Sequence, residues 1–597
     1  MLMKILPSAS AALLLAGPLR AQVTELVSLG QAGVQGNDTA ILPPPGRFVS
    51  SDGRFIAWMS DATNLVPGDT NLRADVFVRD RVLGTTERVS VGSSGNQGNG
   101  HSGVYGISIS RDGRYVAFES ASNNLEAGDT NGAREVFLRD RVNGTTERIA
   151  LSSSGAQGND WSYYPSLSAD ARFIAFGSEA SNLVSGDSNA LSDIFVRDRL
   201  TGTTERVSIS TGGTQANGAS EKPEISADGR FVVFGSAATN LVPGDTNGRW
   251  DVFVHDRLTG TTEIASISTT GIQGDFDTGW AWISADGRKV TFVTHATTLV
   301  PNDTNGCGDV FVRDRLTGTT ERVSVGFDGS QGSQDSAGGT ISDDGRYVLF
   351  EGASSNFVPG DTNNAWDMFV RDLREGTTER VSLTTTGAQV TSAVFGSISS
   401  SSDYVVFLSD FDDVAPGDSN GLTDMFIHER FSCSFASLCS PGLDGVLACP
   451  CSNPPSGPGR GCDNSSATGG ASISGSGNTS LSHDTLVLTT ADQRWSGTSI
   501  LLQAPQQNSG IVFGQGIRCT GGLHRRLFVK QASGGGIVVP GPGDPSLSAR
   551  SAALGDPIAM GSSRYYLVHY RDPFVLGGCN PALTWNVTNT GAVYWYW

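Results

Sequence analysis

Positive charge is what this sequence has least of beside its acids. Against 60 Asp and Glu stand 41 Lys and Arg, a formal charge of −19 at pH 7. That balance leaves no basic footprint for nucleic acid or for an anionic membrane surface. Charged residues of either sign make up 17% of the chain and apolar ones 38%, which excludes a disordered acidic tail. No apolar run beyond residue 21 approaches the roughly 18 to 20 residues that cross a bilayer. Seven histidines are present and none forms a spaced metal pair. Cysteine is nearly missing from the first two thirds, where Cys307 stands alone.

What is present begins with an export pattern. Lys4 supplies a positive start, Ala9 to Ala16 a short apolar stretch, and Leu19-Arg20-Ala21 a small-residue cleavage site. Residues 1–21 are therefore expected to be a signal peptide, and the mature chain to be secreted, periplasmic or held at the cell surface without a transmembrane segment. In that setting Cys433, Cys439, Cys449, Cys451, Cys462, Cys519 and Cys579 read as a disulfide-stapled C-terminal module. An odd number leaves one unpaired, and the pairing is not fixed by the sequence.

Internal repeats organise residues 22–430. Ile225-Ser-Ala-Asp-Gly-Arg-Phe-Val-Val-Phe has near copies beginning at Val49, Ile109, Leu167, Ile283, Ile341 and Ile398. A second marker, Gly-Asp-(Thr/Ser)-Asn, with Asn302 in place of the Gly in the fifth copy, recurs seven times at intervals of 60, 58, 58, 58, 58 and 57. Each copy parses into four short strands, the pattern of a β-propeller blade. The seventh copy stops after its third strand, at Glu429-Arg430. Thr24-Glu25-Leu26-Val27-Ser28 matches the missing fourth, Thr86-Glu87-Arg88-Val89-Ser90. The N-terminal strand is thus expected to complete the last blade and cover an open sheet edge. The expected fold is all-β: a seven-bladed β-propeller, a Cys/Pro/Gly-rich linker over 431–470, and a small β-sandwich-like domain over 471–597.

The Ser-x-Asp-Gly-Arg-(Phe/Tyr)-Val-x-Phe strand pair followed by Asp-(Val/Ile)-Phe-Val-x-Asp resembles the WD40-like repeat of TolB-type β-propellers. The resemblance covers residues 22–430 and implies the fold. It implies no single function, because such repeats serve scaffolds, peptidase gating domains and other secreted proteins.

The loop between strands two and three repeats Asp-x-Asn-x-x-x-Asp. Its members are Asp69/Asn71/Asp75, Asp187/Asn189/Asp193, Asp245/Asn247/Asp251, Asp303/Asn305/Asp309, Asp361/Asn363/Asp367 and Asp418/Asn420/Asp424, with Asp129/Asn131/Glu135 as the variant. Two carboxylates and an amide oxygen within seven residues form a hard-oxygen set suited to structural Ca²⁺. The loops resemble those of calcium-binding propellers such as integrin ectodomains, without the usual third acid or a bidentate Glu. The same residues also suit ordinary turns, and the last Asp suits pairing with an Arg. The Arg of strand four, at Arg88, Arg148, Arg206, Arg322 and Arg380, reads as a partner in cross-strand pairs on blade surfaces.

Strand parity puts these loops and the inter-blade linkers on one face. Trp161, Tyr163, Tyr164, Trp280 and Trp282 are there the candidate residues for stacking on a glycan or gripping a peptide, or alternatively for packing beneath the linkers. No catalytic residue is assigned. Gly417-Asp-Ser-Asn-Gly421 has nucleophile-elbow spacing but belongs to an acidic loop and precedes no helix. The leading expectation is an exported, non-enzymatic binding or scaffold protein facing an extracellular or cell-envelope protein or glycan. The alternative is a propeller-type hydrolase or lyase acting on polysaccharide or peptide, with Asp275 and Asp277 near Trp280 as its acids.

Overall fold

The computed structural model describes residues 23–43, 46–430 and 436–437, and segments between 471 and 595. The expected signal peptide, nearly all of the 431–470 linker with its five cysteines, and Cys579 lie outside the described residues, as does the side chain of Cys519. Cys307 is a free thiol. The chain divides into two compact units, and Gln22–Arg430 is one of them.

Within Gln22–Arg430 lie seven four-stranded antiparallel sheets, numbered here as units 1 to 7. Unit 4 shows the plan: Ser220–Ile225, Phe231–Ser236, Asp251–Asp256 and Thr261–Ile264. The two middle strands are apolar on both faces and buried almost throughout, and an aromatic from strand two stacks on the Phe of strand three. Phe234 lies 6.1 Å from Phe253, both fully buried, and Trp58–Phe77, Phe118–Phe137, Phe176–Phe195, Phe292–Phe311, Phe350–Phe369 and Phe407–Phe426 repeat the pair. Burial of two large rings per unit supplies each sheet with its share of the core.

The Ser-x-Asp-Gly-Arg turn between strands one and two is held by its own side chains. In unit 4, Asp228 Oδ1 accepts from Ser226 Oγ at 2.7 Å and from Arg230 N at 2.9 Å. Gly229 adopts φ +73°, and a Cβ there would sit 2.2 Å from the Phe173 ring of the preceding unit. Glycine is required both for the left-handed conformation and for that approach.

The units close into a ring. At or just before the start of strand one, each unit donates a backbone hydrogen bond to the acidic loop of the unit before it. The pairs are Ser102 to Ala74, Ser162 to Arg134, Ser220 to Ser192, Thr278 to Trp250, Ser336 to Gly308, Ala393 to Trp366 and Ala40 to Thr423, at 2.7–2.9 Å. The last pair joins unit 7 to unit 1. Val23–Leu26 forms strand four of unit 7, with Leu26 opposite Phe426 as Arg88 is opposite Phe77 in unit 1. This is the β-propeller arrangement, with strand three of unit 7 covered at the seam as it is in the other units.

Salt bridges repeat around the outer strands. Arg81, Arg141, Arg199, Arg257, Arg315 and Arg430, each just after strand three, reach Glu25, Glu87, Glu147, Glu205, Glu263 and Glu379 on strand four of the preceding unit. Each guanidinium also covers a Phe or Tyr ring of that unit, as Arg257 does Phe173 at 4.4 Å. Unit 6 has Leu373 at this position and lacks the pair.

The described segments after residue 470 are β-rich, with sheets that include Thr498–Ala504, Arg525–Gln531 and Ser562–Arg571 in one and Ser472–Ser476, Val487–Ala491 and Val538–Val539 in another. Ile473, Leu488, Leu501, Leu527 and Val568 share one core between them. A short helix, Leu547–Ala553, capped by Ser546, was not anticipated from the sequence.

Candidate functional site

Two features of the loop face carry chemistry: the acidic loops and the mouth of the central channel. In unit 3 the acidic loop is closed by three side chains from outside it. Arg206 Nη1 on strand four lies 3.3 Å from Asp187 and 3.4 Å from Asp193. Gln215 on the following linker donates to the same two acids at 2.8 and 3.0 Å. Ser208 donates to Asp193 at 2.5 Å. Asn189 turns its amide nitrogen toward Asp193, at 3.3 Å, and its oxygen accepts from Leu191 N at 3.0 Å.

The other loop asparagines behave alike, and here the structure departs from the expected oxygen set. Asn71, Asn131, Asn247, Asn305 and Asn363 donate through Nδ2 to Asp75, Glu135, Asp251, Asp309 and Asp367 at 2.8–3.3 Å. Their oxygens accept from the backbone N–H two residues on, at Arg73, Ala133, Arg249, Cys307 and Ala365, at 2.8–3.2 Å. Asn420 accepts in the same way from Leu422 N at 3.0 Å and donates to Gly36 O at 3.3 Å. The amide oxygen counted as a metal ligand from the sequence is thus engaged in a local Asx turn, and the nitrogen faces the acid. The asparagine closes the loop on itself in all seven units.

The strand-four Arg is likewise not in the surface cross-strand pair expected from the sequence. It is largely buried and supplies the positive charge between the loop's two acids. Arg88 does the same for Asp69 and Asp75, Arg148 for Asp129 and Glu135, Arg322 for Asp303 and Asp309, and Arg380 for Asp361 and Asp367, at 2.6–3.6 Å. Burial pushes the second acid upward in every unit. Glu135 reaches about 7, with Gln157 and Arg148 opposing the shift.

Units 4 and 7 differ. Ile264 and Leu26 stand where the other five have Arg. Asp245, Asn247 and Asp251 keep Gln273, which donates to Asp245 at 3.1 Å, and Ser266, which donates to Asp251 at 2.6 Å. Asp418, Asn420 and Asp424 keep Gln35 at 2.9 Å and Ser28 at 2.5 Å. Burial raises Asp251 and Asp418 to about 6, and the neighbouring acid of each loop adds to the rise. The glutamine was missed in sequence reading. Its signal was present, since Gln97, Gln157, Gln215, Gln273, Gln331 and Gln389 each follow the first loop acid by 28 residues.

At the channel mouth, strand one bulges. Its register slips between Tyr163 and Ser166, between Glu221 and Glu224, and between Val394 and Ser397. At these bulges Tyr164, Lys222 and Phe395 hold φ of +52°, +55° and +49°, a conformation costly for side chains of this size. Strain of this kind re-aims side chains. Tyr164 meets Tyr105 edge-on at 6.3 Å, and Lys222 Nζ lies 4.6 Å from the Trp280 ring centre.

A cavity of about 340 Å³ opens beside these residues. Trp280, Trp282, Phe350, Met368 and Phe395 form its apolar wall, with Leu42 and Phe48 from unit 1. Glu351 on this wall is buried, and burial raises its pKa. Its Oε2 accepts from Phe395 N at 2.6 Å. Deeper in the ring, Arg47 reaches Glu224 of unit 4 at 2.9 Å, Asp343 of unit 6 at 3.0 Å and Ile283 O of unit 5 at 3.2 Å, and Arg111 meets Asp343 at 2.7 Å. This buried ion cluster spans the channel.

The five aromatics named from the sequence fall into two groups. Trp161, 42% exposed, lies under the Arg134 guanidinium at 5.9 Å, and Tyr163, which is buried, meets Tyr164 edge-on at 5.2 Å. Trp280 and Trp282 line the cavity, and Trp282 is 3% exposed. Asp275 accepts from Thr297 and Thr298, and Asp277 from Trp250 N, so both acids tie the linker between units 4 and 5 to the loops beside it.

No family model and no curated protein matches this sequence. Among solved structures the chain is similar to TolB from Agrobacterium tumefaciens, at 18% identity over 55% of this chain and 89% of that one, with a TM-score of 0.30. It is similar to TolB from Acinetobacter baumannii at 13% identity, 68% and 97% coverage and a TM-score of 0.30. The Dos1 propeller gives 13%, 69%, 95% and 0.36. At these scores the architecture of this chain rests on its own sheets and hydrogen bonds.

Proposed function

We propose that this chain is an exported, non-enzymatic binding protein, a seven-bladed propeller whose loop-face cavity receives an apolar segment of an extracellular or cell-envelope protein. The cavity carries this reading. Its wall of Trp280, Phe350, Met368 and Phe395 matches an aliphatic or aromatic side chain, and the backbone strain at Phe395 is kept where the wall forms. A glycan subsite needs an exposed ring platform with hydrogen-bonding neighbours, whereas Trp282 is buried. The Arg47 cluster supports a one-sided pocket that a ligand enters from the loop face.

Screening the purified protein against peptide and glycan arrays tests this. Binding to apolar peptides, lost at least tenfold in Trp280→Ala and in Phe395→Ala, is the expected outcome. Binding confined to glycans, or cleavage of an arrayed peptide or polysaccharide, overturns it in favour of a lectin or of a hydrolase or lyase.

A further inference from the structure

Five acidic loops contain their own cation and two do not. In units 1, 2, 3, 5 and 6 an Arg guanidinium lies within 2.6–3.6 Å of both loop acids. In units 4 and 7 an apolar side chain takes its place at the same register, opposite Phe253 and Phe426. Asp245 and Asp418 are each 8% exposed, and their partners Asp251 and Asp424 are 0% and 2% exposed. Asp245 Oδ2 and Asp418 Oδ2 are buried and accept no hydrogen bond. Asp129 Oδ2 and Glu135 Oε2 also lack a hydrogen bond, but they lie 3.6 and 2.6 Å from the Arg148 guanidinium. A buried pair of carboxylates without a counter-charge is costly.

We infer that the loops of units 4 and 7 are divalent-cation sites, taking Ca²⁺ in the place that Arg fills in the other five. The site in unit 4 is made by Asp245 and Asp251 and that in unit 7 by Asp418 and Asp424. Among the described residues no three of His, Cys, Asp and Glu gather within ligating reach. The shell is therefore two carboxylates completed by amide oxygens and water, which Ca²⁺ accepts because its coordination is flexible. Gln273 and Gln35 now present nitrogen to these acids, and half a turn of the amide presents oxygen. A third acid stands beside each loop: Asp277 accepts from Trp250 N at 3.0 Å and Asp412 from Gly421 N at 3.2 Å, while Asp335 takes the place of Asp277 beside the Arg-filled loop of unit 5. This inference is independent of what the cavity binds.

Calorimetric titration of metal-free protein with CaCl₂ decides it. The expected stoichiometry is two per chain, falling to one in Ile264→Arg and to none in Ile264→Arg/Leu26→Arg. Asp245→Asn and Asp418→Asn, each expected to remove one site, serve if an Arg variant fails to fold. Tb³⁺ emission on tryptophan excitation locates one site. Trp250 precedes Asp251 in unit 4, and Trp366 precedes Asp367 in an Arg-filled unit. Emission lost in Trp250→Phe and kept in Trp366→Phe is expected. No binding at all, which would leave a proton to neutralise each pair, more than two sites, or sites that survive the double Arg variant would each overturn the proposal.

Discussion

Units 3 and 4 share the loop Gly-Asp-(Ser/Thr)-Asn, the same glutamine on the next linker and the same serine just after strand four, yet their acids are neutralised differently. In unit 3 the balance is Arg206; in unit 4 the matching side chain is Ile264. Unit 7 repeats the unit 4 pattern with Leu26. Units 4 and 7 also share a second departure. Strand three carries His255 and His428 where the other five carry Arg79, Arg139, Arg197, Arg313 and Arg371. Each histidine bonds through Nδ1 to the strand-four threonine, at 2.9 Å, as Arg79 bonds to Thr86 at 3.2 Å. The loop motif thus fixes where the acids lie, and one residue on the neighbouring strand decides what charge meets them.

Substitutions that convert one kind of unit into the other test that lesson. The largest effect is expected from Arg206→Ile, which turns unit 3 into a copy of unit 4 and strands Asp187 and Asp193. A loss of about 3–5 kcal/mol is expected in cation-free buffer, read by denaturant unfolding, with part of it regained in millimolar Ca²⁺. A loss no greater than that of Ile264→Ala breaks the comparison.

Next comes the glutamine. Gln215→Ala and Gln273→Ala each remove a donor to a buried acid, and a cost of about 1–3 kcal/mol is expected. Gln273→Ala should cost more in cation-free buffer, because no Arg remains to share Asp245. Equal costs would show that the Arg and the glutamine act independently.

The histidines give units 4 and 7 an acid sensitivity of their own. Burial, and then Arg430, lower His428 to about 3, against about 6.5 when unfolded. The unfolded state then binds the extra proton, so this contribution to stability is present above about pH 6.5 and is lost as the pH falls toward 3. Asp251 and Asp418 act in the opposite sense, since their raised values favour the folded state at lower pH. Comparing unfolding midpoints at pH 7 and pH 5 for the parent and His428→Gln isolates the histidine. The drop should be smaller in the variant, and an equal drop would assign it elsewhere.

The smallest effect concerns the outer ion pairs, which all units but one share. Arg257→Ala is expected to cost about 1 kcal/mol or less for the charge pair, with Leu373→Arg gaining a few tenths by restoring the pair to Glu321. Larger changes would mean that the guanidinium's contact with the preceding ring, and not the charge, holds neighbouring units together.

Much of this was legible in the chain. The recurrence of Gly-Asp-(Thr/Ser)-Asn and the Thr-Glu-Leu-Val-Ser at the N-terminus specify repeated four-stranded units and a closing strand, because strand periodicity and turn chemistry are local properties. The loop acids were legible as a set. Their partners were not, because Arg206 lies 13 residues from Asp193 and 19 from Asp187, and only the strand pairing turns it inward to both. Nor was the direction of the loop amides legible, since the spacing that suits a ligating Asn oxygen equally suits the Asx turn that Asn71 and Asn363 make. Trp280 and Trp282 illustrate the same limit. They are two residues apart on strand one, and both line the cavity, yet Trp282 is almost wholly buried in its wall.

Local residue pattern specifies the unit, its strands and turns, the excess of acid and the placing of that acid on one face. Tertiary structure alone decided which acids are already balanced, which two loops keep a buried negative pair, and where the strand-one bulges open an apolar cavity. Charge balance and cavities depend on distances between residues far apart in the chain, and those distances exist only once the ring has closed.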